Sequence, residues 1–583
     1  MTRRSTFRFS RRGFLRAAAT AGVGASALAL VGCGDDDDDQ PAPAATATQE
    51  QQQPAPAEQQ QQAEQQSAPA ATQQDQQQVV AEQPTQQEQQ QAAPAQQAQQ
   101  QEEQAMGAEA TGGTLRFSAL AGLGGPVDPR NLTSVIAYHA VIGIYDFLAL
   151  HDDSGLKLGV TESIASNEDA TVWTLTVREG ATFHDGRPVT ADDLLHSIEF
   201  LGNWETSQIY AQYFFDVDWE NTRAVDDRTM ELALLRPRGD FLDSILALFV
   251  PVVPRGETDF TLPIGSGPFR IVSNDGVDGY ELVRNDDWWG PRPAIDRIVT
   301  VPINDSTARI NALKSGEIDF AYQLPPSIAR AEEGNDEIVI ERTNAGSSVM
   351  CFIMNTSLPP FDNSEVREAV RLAVDREALV NSVLLGQGDI GNDLPGKGLV
   401  GYHDGLPQRT RDLERATEIF AIHGITELDI VASEIAPGVV ASAEILASQL
   451  AEAGVTLRIE EVPADAFFGD FERLLSTPLQ AIYFVNRPPS VHMPSFVGSN
   501  AVFNPTASRS PELDEALLAS QSAVDPDERE RHLLRAQEII WDEGAIVVWG
   551  YQQMILAYKP TISNVNLVSD GLVKFQELVI SPT

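Results

Sequence analysis

The sequence is poor in cysteine, histidine and lysine. Its two cysteines, Cys33 and Cys351, lie far apart, which excludes a disulfide framework and a cysteine-rich zinc or iron–sulfur site. The eight histidines lie singly, so no pair is spaced to hold one metal ion. We therefore expect no metal site and no cofactor. We expect Cys351 to be a small buried side chain rather than a reactive thiol.

Basic residues are also scarce. The chain has 40 Lys and Arg against 84 Asp and Glu, a formal net charge of −44. Nucleic acids are bound through clustered Lys and Arg, so a nucleic-acid partner is excluded. Residues 1–33 hold six arginines and no acid, whereas 34–112 hold fourteen acids and no base. The remaining residues, 113–583, are still strongly acidic, which favours solubility and is compatible with a saline habitat.

The first 33 residues have the pattern of a lipoprotein export signal. Arg11 and Arg12 lie in SRRGFLR (10–16), which matches a twin-arginine signal, and an apolar run follows at 17–31. This run has about 15 residues, whereas a spanning helix needs about 20, so a short membrane anchor is the weaker alternative. The run ends in LVGC, which resembles a lipobox and predicts lipidation of Cys33.

Residues 34–112 predict a disordered linker. Five consecutive aspartates (35–39) precede a stretch rich in Gln, Ala and Pro that contains no aromatic residue. Such a composition cannot bury enough apolar surface to offset the entropy of ordering. The aspartates lack the spacing of an EF-hand calcium loop, so a solvated charge run is the preferred interpretation.

Short strands and amphipathic helices alternate from Gly113 onward. Residues 114–118 and 172–178 alternate like strands, while Thr190 precedes a helical repeat of apolar residues. Ser364 opens another predicted helix, and 528–543 predicts a further one, closed by a glycine before a strand. This mixture predicts an α/β protein.

Several segments of this region match blocks of one known family, in the family's order. The blocks are WTLTVREG (173–180), FHDGRPVTADD (183–193), GSGPF (265–269), RNDDWWG (284–290), RINALKSGEID (309–319), NTS (355–357), PPFDN (359–363), VREA (366–369) and AVDR (373–376). Each block alone is weakly specific, but the ordered set is very specific. On these residues the sequence resembles family 5 of the extracellular solute-binding proteins, which serve peptide-type ABC importers.

Most of these blocks are interpreted as scaffold. In FHDGRPV, a turn is predicted in which Asp185 bonds nearby backbone. A catalytic role for His184 and Asp185 is the less favoured alternative, since no nucleophile elbow accompanies them. Gly265 and Gly267 suit a tight turn, and no Lys-Ser/Thr follows them as a phosphate loop requires.

The resemblance implies an α/β, two-lobed clamshell of the periplasmic-binding-protein type (type II-like). A third domain is added, and discontinuous domains are joined by a hinge. Domain I is expected at 113–152, 262–345 and 535–583, domain II at 153–261 and domain III at 346–534. Ligand would bind between domains I and III and stabilise closure.

The resemblance also implies the function. We expect a substrate-binding lipoprotein, exported by the Tat route and anchored through Cys33 outside the cytoplasmic membrane. It would act as a monomer that delivers a peptide or similar organic solute to an ABC permease with its ATPase. The alternatives are a ligand sensor of the same fold and a Tat-exported enzyme; the absence of catalytic motifs counts against the enzyme.

One departure from the family concerns the ligand anchor. Peptide-binding relatives often carry an Asp in domain III that pairs with the peptide's α-amino group. The corresponding stretch here, QAIYFVNRPP (480–489), has no acid and places Arg487 at or beside that position. An arginine can hold a carboxylate with two parallel hydrogen bonds. The alternative is an Arg487 paired with an acid of the protein itself.

The other candidate ligand-binding residues are expected near the cleft. Each has core packing as its alternative interpretation. They are Tyr138, Tyr322, Gln323, Ser348, Met350, Tyr483, Phe484 and Asn486.

Overall fold

The computed structural model describes residues 112–582 except 121–124, 131, 133–134, 153–154, 276–278, 464–466, 468–470 and 502. The predicted export signal with Arg11, Arg12 and Cys33, and the linker up to residue 111, lie outside the described residues. All described residues fall in one compact unit. None of the helices within these residues is long and apolar enough to cross a membrane.

The strands are numbered in chain order. They are β1 (Thr114–Ser118), β2 (Ala149–Asp152), β3 (Gly155–Leu158), β4 (Thr161–Ser166), β5 (Val172–Val177), β6 (Arg223–Ala224), β7 (Thr229–Ala233), β8 (Phe269–Asn274), β9 (Tyr280–Arg284), β10 (Arg297–Thr300), β11 (Phe320–Ala321), β12 (Val339–Met354), β13 (Gly388–Ile390), β14 (Glu427–Ala432), β15 (Thr456–Glu461), β16 (Leu479–Val485), β17 (Ile546–Tyr558), β18 (Ile562–Ser563) and β19 (Val579–Ile580).

The α-helices are likewise numbered in chain order. They are α1 (Val135–Ile144), α2 (Ala191–Gly202), α3 (Gln208–Ala211), α4 (Ser306–Ser315), α5 (Pro326–Ala331), α6 (Ser364–Ala373), α7 (Arg376–Val383), α8 (Leu413–Ile422), α9 (Val439–Glu452), α10 (Phe471–Ser476), α11 (Pro489–Phe496), α12 (Pro511–Ser522) and α13 (Pro526–Glu543). A 3₁₀ turn at Gln212–Phe214 and a π-helical turn at Leu242–Leu246 complete the helical segments.

The predicted mixture of helices and strands is confirmed, and several predicted elements match closely. Strands β1 and β5 lie where the alternation places them, and β5 buries Trp173, Leu175 and Val177 on one face. Helix α2 begins after Thr190, whose N–H and hydroxyl both bond the Asp193 carboxylate. Helix α4 ends at Gly316, which adopts the left-handed conformation (φ 77°) that favours glycine.

One large mixed sheet runs through the centre of the described structure. Its strands run in the order β15-β14-β16-β12-β17-β11-β1-β10-β9-β8, with β13 paired to β17. The two longest strands, β12 and β17, pair antiparallel from Val339 with Tyr558 to Ile353 with Ile546, with irregularities near the middle. A separate four-stranded sheet, β4-β5-β7-β6, lies within the stretch expected to form domain II.

The buried apolar side chains form separate cores on the two halves of this sheet. The first core draws its buried residues from 115–322 and 554–578. A smaller separate cluster draws its buried residues from 310–338 and 555–557. Two further clusters, which we call together the second core, draw theirs from 349–551. Strands β12 and β17 therefore connect two packed halves, as a hinge between lobes requires. The exact domain boundaries stay a prediction.

Candidate ligand-binding site

Arg487 lies where the two cores face each other. Strand β16 pairs with β12 up to Val485, and Asn486 and Arg487 follow directly. The Arg487 Nε atom lies 3.7 Å from Oδ1 of Asp570, which belongs to a loop flanked by first-core residues. This Nε has no hydrogen-bond partner among the described residues. The pair is therefore an ion pair without a hydrogen bond through Nε, and each side chain stays 24% exposed.

Tyrosines from the first core surround this ion pair. Tyr138 on α1 and Tyr210 on α3 interact through their side chains, and both lie close enough to Arg487 to influence its charge, as does Tyr213. Burial raises the pKa of Tyr138 and of Tyr210, so both stay neutral. Burial opposes the charged form of Arg487, yet Asp570 raises its pKa above the usual value. The cluster thus places the Arg487–Asp570 ion pair beside neutral hydroxyls, and its guanidinium can bind an anionic group.

Tyr322 holds the loop that carries Asp570. Its hydroxyl donates a hydrogen bond to the carbonyl oxygen of Gly571 at 2.9 Å, and the ring packs against Phe117 and His139. Only 3% of Tyr322 is exposed. Gln323 is exposed, adopts φ 56°, and its carbonyl oxygen accepts a hydrogen bond from Arg309.

Asn486 positions the chain beside Arg487. Its side-chain oxygen accepts the N–H of Gly396 at 2.9 Å, and its nitrogen donates to the carbonyl of Lys397 at 3.0 Å. Its own N–H donates to Ser347 at 2.8 Å. Because it is buried and bonded at both ends of its amide, Asn486 fixes the β16 exit against the 396–397 loop.

The remaining candidates pack on the two faces of the sheet. Tyr483 pairs with Met350 and Val485 pairs with Ser348 in register. Met350 is 1% exposed and packs in one second-core cluster, against which the half-buried Tyr483 also packs. Phe484 points to the other face, where it contacts His492 and Phe496. The structure thus brings Tyr138 to Arg487, whereas Phe484 and Met350 belong to the second core.

Four residues near Arg487 were missed from the sequence: Tyr210, Tyr213, His492 and Asp570. The aromatic run IYAQYFF (209–215) and the Asp-Gly turn at 570–571 are signals that could have pointed to them. His492 is 1% exposed, and burial together with Arg487 lowers its pKa to about 3. It is therefore a neutral ring rather than a second cation.

The FHDGRPV and GSGPF blocks are joined by hydrogen bonds and have a structural role. The N–H of Gly265 donates to Nδ1 of His184 at 3.2 Å, and Nε2 of His184 lies 3.1 Å from the carbonyl of Gly267. These contacts fix the ring as the Nε2–H tautomer. Burial lowers the pKa of His184 to about 4. Asp185 accepts the N–H of Arg187, the turn expected from the sequence.

Three further features bear on what the site can hold. Within the described ranges, no group of three or more His, Cys, Asp and Glu is placed to hold a metal ion. Cys351 is buried, and burial raises its thiol pKa. Close to the Arg487 cluster, a cavity of about 540 Å³ opens between residues 212–245 and 490–521, and Tyr213 lies in its wall.

The family assignment follows from a family model. The model of the bacterial extracellular solute-binding proteins, family 5, matches residues 155–490. The chain belongs to this family. The resemblance carried by the sequence blocks is therefore confirmed, and so is the role as an extracellular solute-binding protein. Members of this family are binding proteins rather than enzymes.

Similar proteins agree with this assignment. The glutathione-binding protein GsiB of Pectobacterium atrosepticum is 23% identical over 491 residues, which cover 78% of this chain and 91% of GsiB. The substrate-binding protein CtaP of Listeria monocytogenes superposes with a TM-score of 0.72 at 21% identity, covering 81% of this chain and all of CtaP. DppA of Helicobacter pylori, solved with the peptide STSA, superposes with a TM-score of 0.68 at 22% identity. The match covers 81% of this chain and 99% of DppA. The predicted clamshell fold class is confirmed.

Proposed function

We propose that this protein captures a peptide or peptide-like solute between its two cores and delivers it to an ABC permease with an ATPase. The similar proteins support this proposal, since GsiB binds glutathione and DppA was solved with a tetrapeptide. The observation that carries it is the Arg487 cluster, which has residues from both cores around one point. A ligand bound there touches both walls only when the lobes are closed. The predicted partition into domains I, II and III is part of this proposal.

The ligand's carboxylate binds Arg487. The ion pair with Asp570 lacks a hydrogen bond through Nε, so a carboxylate that approaches Arg487 gains charge-assisted bonds that Asp570 does not fully supply. The hydroxyls of Tyr138 and Tyr210 lie on the first-core side of the same point. They are neutral donors, which adds to the preference for an anionic oxygen.

Calorimetry with glutathione, the tetrapeptide Ser-Thr-Ser-Ala and its C-terminal amide tests this assignment. We expect the tetrapeptide acid to bind at least tenfold more tightly than the amide. Arg487→Ala should remove this difference, because it removes the group that recognises the carboxylate. Arg458→Ala, at an exposed pair with Asp429, is the matched control and should keep it. Equal affinities for acid and amide in the unaltered protein would reject the carboxylate anchor.

Export and anchoring are a second part of the proposal. Arg11 and Arg12 direct export by the Tat route, and Cys33 carries the lipid that holds the protein outside the cytoplasmic membrane. Replacing both arginines by lysine should leave the precursor in the cytoplasm. Cys33→Ser should move the exported protein from the membrane to the soluble fraction. Membrane association that survives Cys33→Ser would contradict lipid anchoring. The protein is proposed to act as a monomer.

A further inference from the structure

The acid beside Arg487 belongs to the opposite core. Asp570 lies in a loop whose neighbours Val568 and Leu572 are buried in the first core. Arg487 lies between second-core residues of β16 and α11. The distance of 3.7 Å from Nε of Arg487 to Oδ1 of Asp570 therefore spans the two cores. The pair can form only when the cores are close together, so it belongs to the closed arrangement of the clamshell.

The loop that carries Asp570 is held by contacts that do not use its carboxylate. The N–H of Ser569 donates to the carbonyl oxygen of His151 at 2.9 Å. The hydroxyl of Tyr322 donates to the carbonyl oxygen of Gly571, also at 2.9 Å. Among the described residues, no group donates a hydrogen bond to the Asp570 carboxylate. The carboxylate is therefore not needed to shape the loop and is free to act on Arg487.

The Arg487 guanidinium needs a negative partner when the cores are closed. Tyrosine side chains influence its charge from the first core, and His492 beside it is a neutral ring. Burial disfavours the charged guanidinium, and Asp570 is the strongest influence that raises the Arg487 pKa against it. A buried charge without a partner is strongly destabilising. Asp570 therefore supplies the negative charge that a bound carboxylate would otherwise supply.

The guanidinium also keeps donors for a second anion. Nε of Arg487 is buried, whereas Nη1 and Nη2 retain accessible surface and make no hydrogen bond to a described residue. A ligand's carboxylate can therefore reach Nη1 and Nη2 while Asp570 stays beside Nε. Two carboxylates would then share one guanidinium, and their mutual repulsion reduces the gain from binding the second.

We propose that Asp570 is a resident counter-ion that takes the place of a ligand's carboxylate at Arg487. It neutralises the guanidinium when the cores close without a ligand, and it limits how strongly the site prefers an acidic ligand to a neutral one. A ligand that ends in an amide is accepted because the guanidinium is already paired, whereas a ligand's carboxylate has to share it. This role rests on the proposed function and extends it from a ligand anchor to a determinant of ligand charge.

Calorimetry with the tetrapeptide Ser-Thr-Ser-Ala and its C-terminal amide tests this role through the ratio of the two affinities. We expect Asp570→Asn to raise the preference for the acid at least fivefold over that of the unaltered protein, because the ligand no longer shares Arg487. The double variant Asp570→Asn with Arg487→Ala should show no preference, since the effect acts through the guanidinium. Asp570→Glu keeps the charge and should keep the ratio of the unaltered protein. Asp429→Asn, at the exposed pair with Arg458, is the matched control and should also keep it.

Small-angle X-ray scattering of the ligand-free protein tests the same role without a solute. Asp570→Asn should raise the radius of gyration, because closing the cores would then bury an unpaired guanidinium. The double variant with Arg487→Ala lacks that guanidinium and should return to the radius of the unaltered protein. An equal increase in the single and the double variant would assign the change to a disturbed loop and overturn the counter-ion.

The two measurements separate this role from the anchor itself. If the preference for the acid depends on Arg487 but does not change in Asp570→Asn, the counter-ion is overturned and the anchor stands. If neither the unaltered protein nor Asp570→Asn distinguishes the acid from the amide, both fall. If no peptide binds, the peptide-binding function falls and the scattering result still decides, since an unchanged radius in Asp570→Asn overturns the counter-ion as well.

Discussion

Asp146 is a carboxylate buried beneath two adjacent tryptophans of the RNDDWWG block. It is 5% exposed and accepts the indole N–H of Trp289 at 2.5 Å and of Trp288 at 3.3 Å. Arg178 lies over the Trp289 ring at 4.3 Å. Burial outweighs the two hydrogen bonds and raises the pKa of Asp146 to about 7. The sequence identifies this block only as a family signature, whereas the structure shows that its tryptophans bind a titratable group among first-core residues.

The raised pKa of Asp146 predicts a pH dependence of stability. The unfolded carboxyl titrates near 3.8, so between about pH 4 and 7 the folded state holds a proton that the unfolded chain has lost. This group's contribution to stability is present below pH 4 and is lost as the pH rises to 7. Across that window, the free energy of unfolding of Asp146→Asn, measured in urea, should therefore rise relative to that of the unaltered protein. The difference should grow by up to about 1.4 kcal/mol per pH unit. A difference that is constant with pH would contradict the assignment.

Buried histidines predict the opposite trend. His492 lies against Phe484 and Phe496, its Nδ1 has no hydrogen-bond partner among the described residues, and its pKa falls from 6.5 to about 3. The contribution of the neutral His492 ring to folding stability is complete above pH 6.5. It is lost as the pH falls, because the ring takes up a proton in the unfolded chain but not in the folded protein. His492→Phe should make unfolding less sensitive to acid between pH 6.5 and 4. His532→Phe replaces a more exposed histidine and is the control; it should leave the acid sensitivity of unfolding unchanged.

Residue types near the anchor were predictable, but their partners were not. The place of Arg487 in a family stretch identifies it as a candidate, and the sequence offers an internal acid partner as the alternative. Asp570 is that acid, and it is 83 positions further along the chain. The pairing of β12 with β16 and β17 brings the segments that carry Arg487 and Asp570 together. Local sequence patterns do not predict such contacts between residues far apart in the chain.

Elements with strong periodicity were predicted well. Helix α13 ends at Glu543 as expected, although it begins at Pro526 rather than at Glu528, because Asp525 caps it and Pro526 takes the first helical position. Strands β12 and β17 were not predicted at their full length. Both pass from one core to the other, so their buried faces change partners midway and the alternation is interrupted.

A seam between Gly239 and the α12–α13 turn joins elements of the two cores. Arg529 donates to the carbonyl of Gly239 at 2.5 Å, and the N–H of Asp240 donates to Gln521 at 3.4 Å. A Cβ on Gly239 would overlap the carbonyl oxygen of Ala523. Since both sides of this contact are backbone, the elements can accommodate a side chain only by moving apart.

We therefore expect Gly239→Ala to lower the free energy of unfolding by about 1–3 kcal/mol, the usual cost of overpacking. It should also raise the radius of gyration of the ligand-free protein in small-angle X-ray scattering. Gly256→Ala is the control, since a Cβ there has no neighbour within 4 Å and its only cost is local. If Gly239→Ala lowers stability without changing the radius, the seam does not hold the two halves together.

Two packed cores share one sheet, and acidic residues dominate the charge of the protein. The architecture follows from the family resemblance and from the ordered blocks, whereas the location of the seam and the cavity does not. Those features depend on residues 212–245 meeting 490–521, which carry no recognisable block of their own. The charge, by contrast, could be predicted in full, because composition determines it regardless of fold.

The excess of acids predicts that salt stabilises the protein. Residues 113–583 contain 70 Asp and Glu against 34 Lys and Arg, and like charges repel more when the chain is compact. The Debye length shortens from about 30 Å at 0.01 M to about 3 Å at 1 M salt, so sodium chloride screens this repulsion. The Tm of a chain beginning at residue 113 should therefore rise by several degrees over that range. Exposed ion pairs such as Arg458 with Asp429 weaken at the same time, but each contributes less than about 1 kcal/mol. A Tm that falls with salt would show that these pairs outweigh the net repulsion. Sucrose at the same osmolality as the salt is the control for stabilisation by solute exclusion from the protein surface.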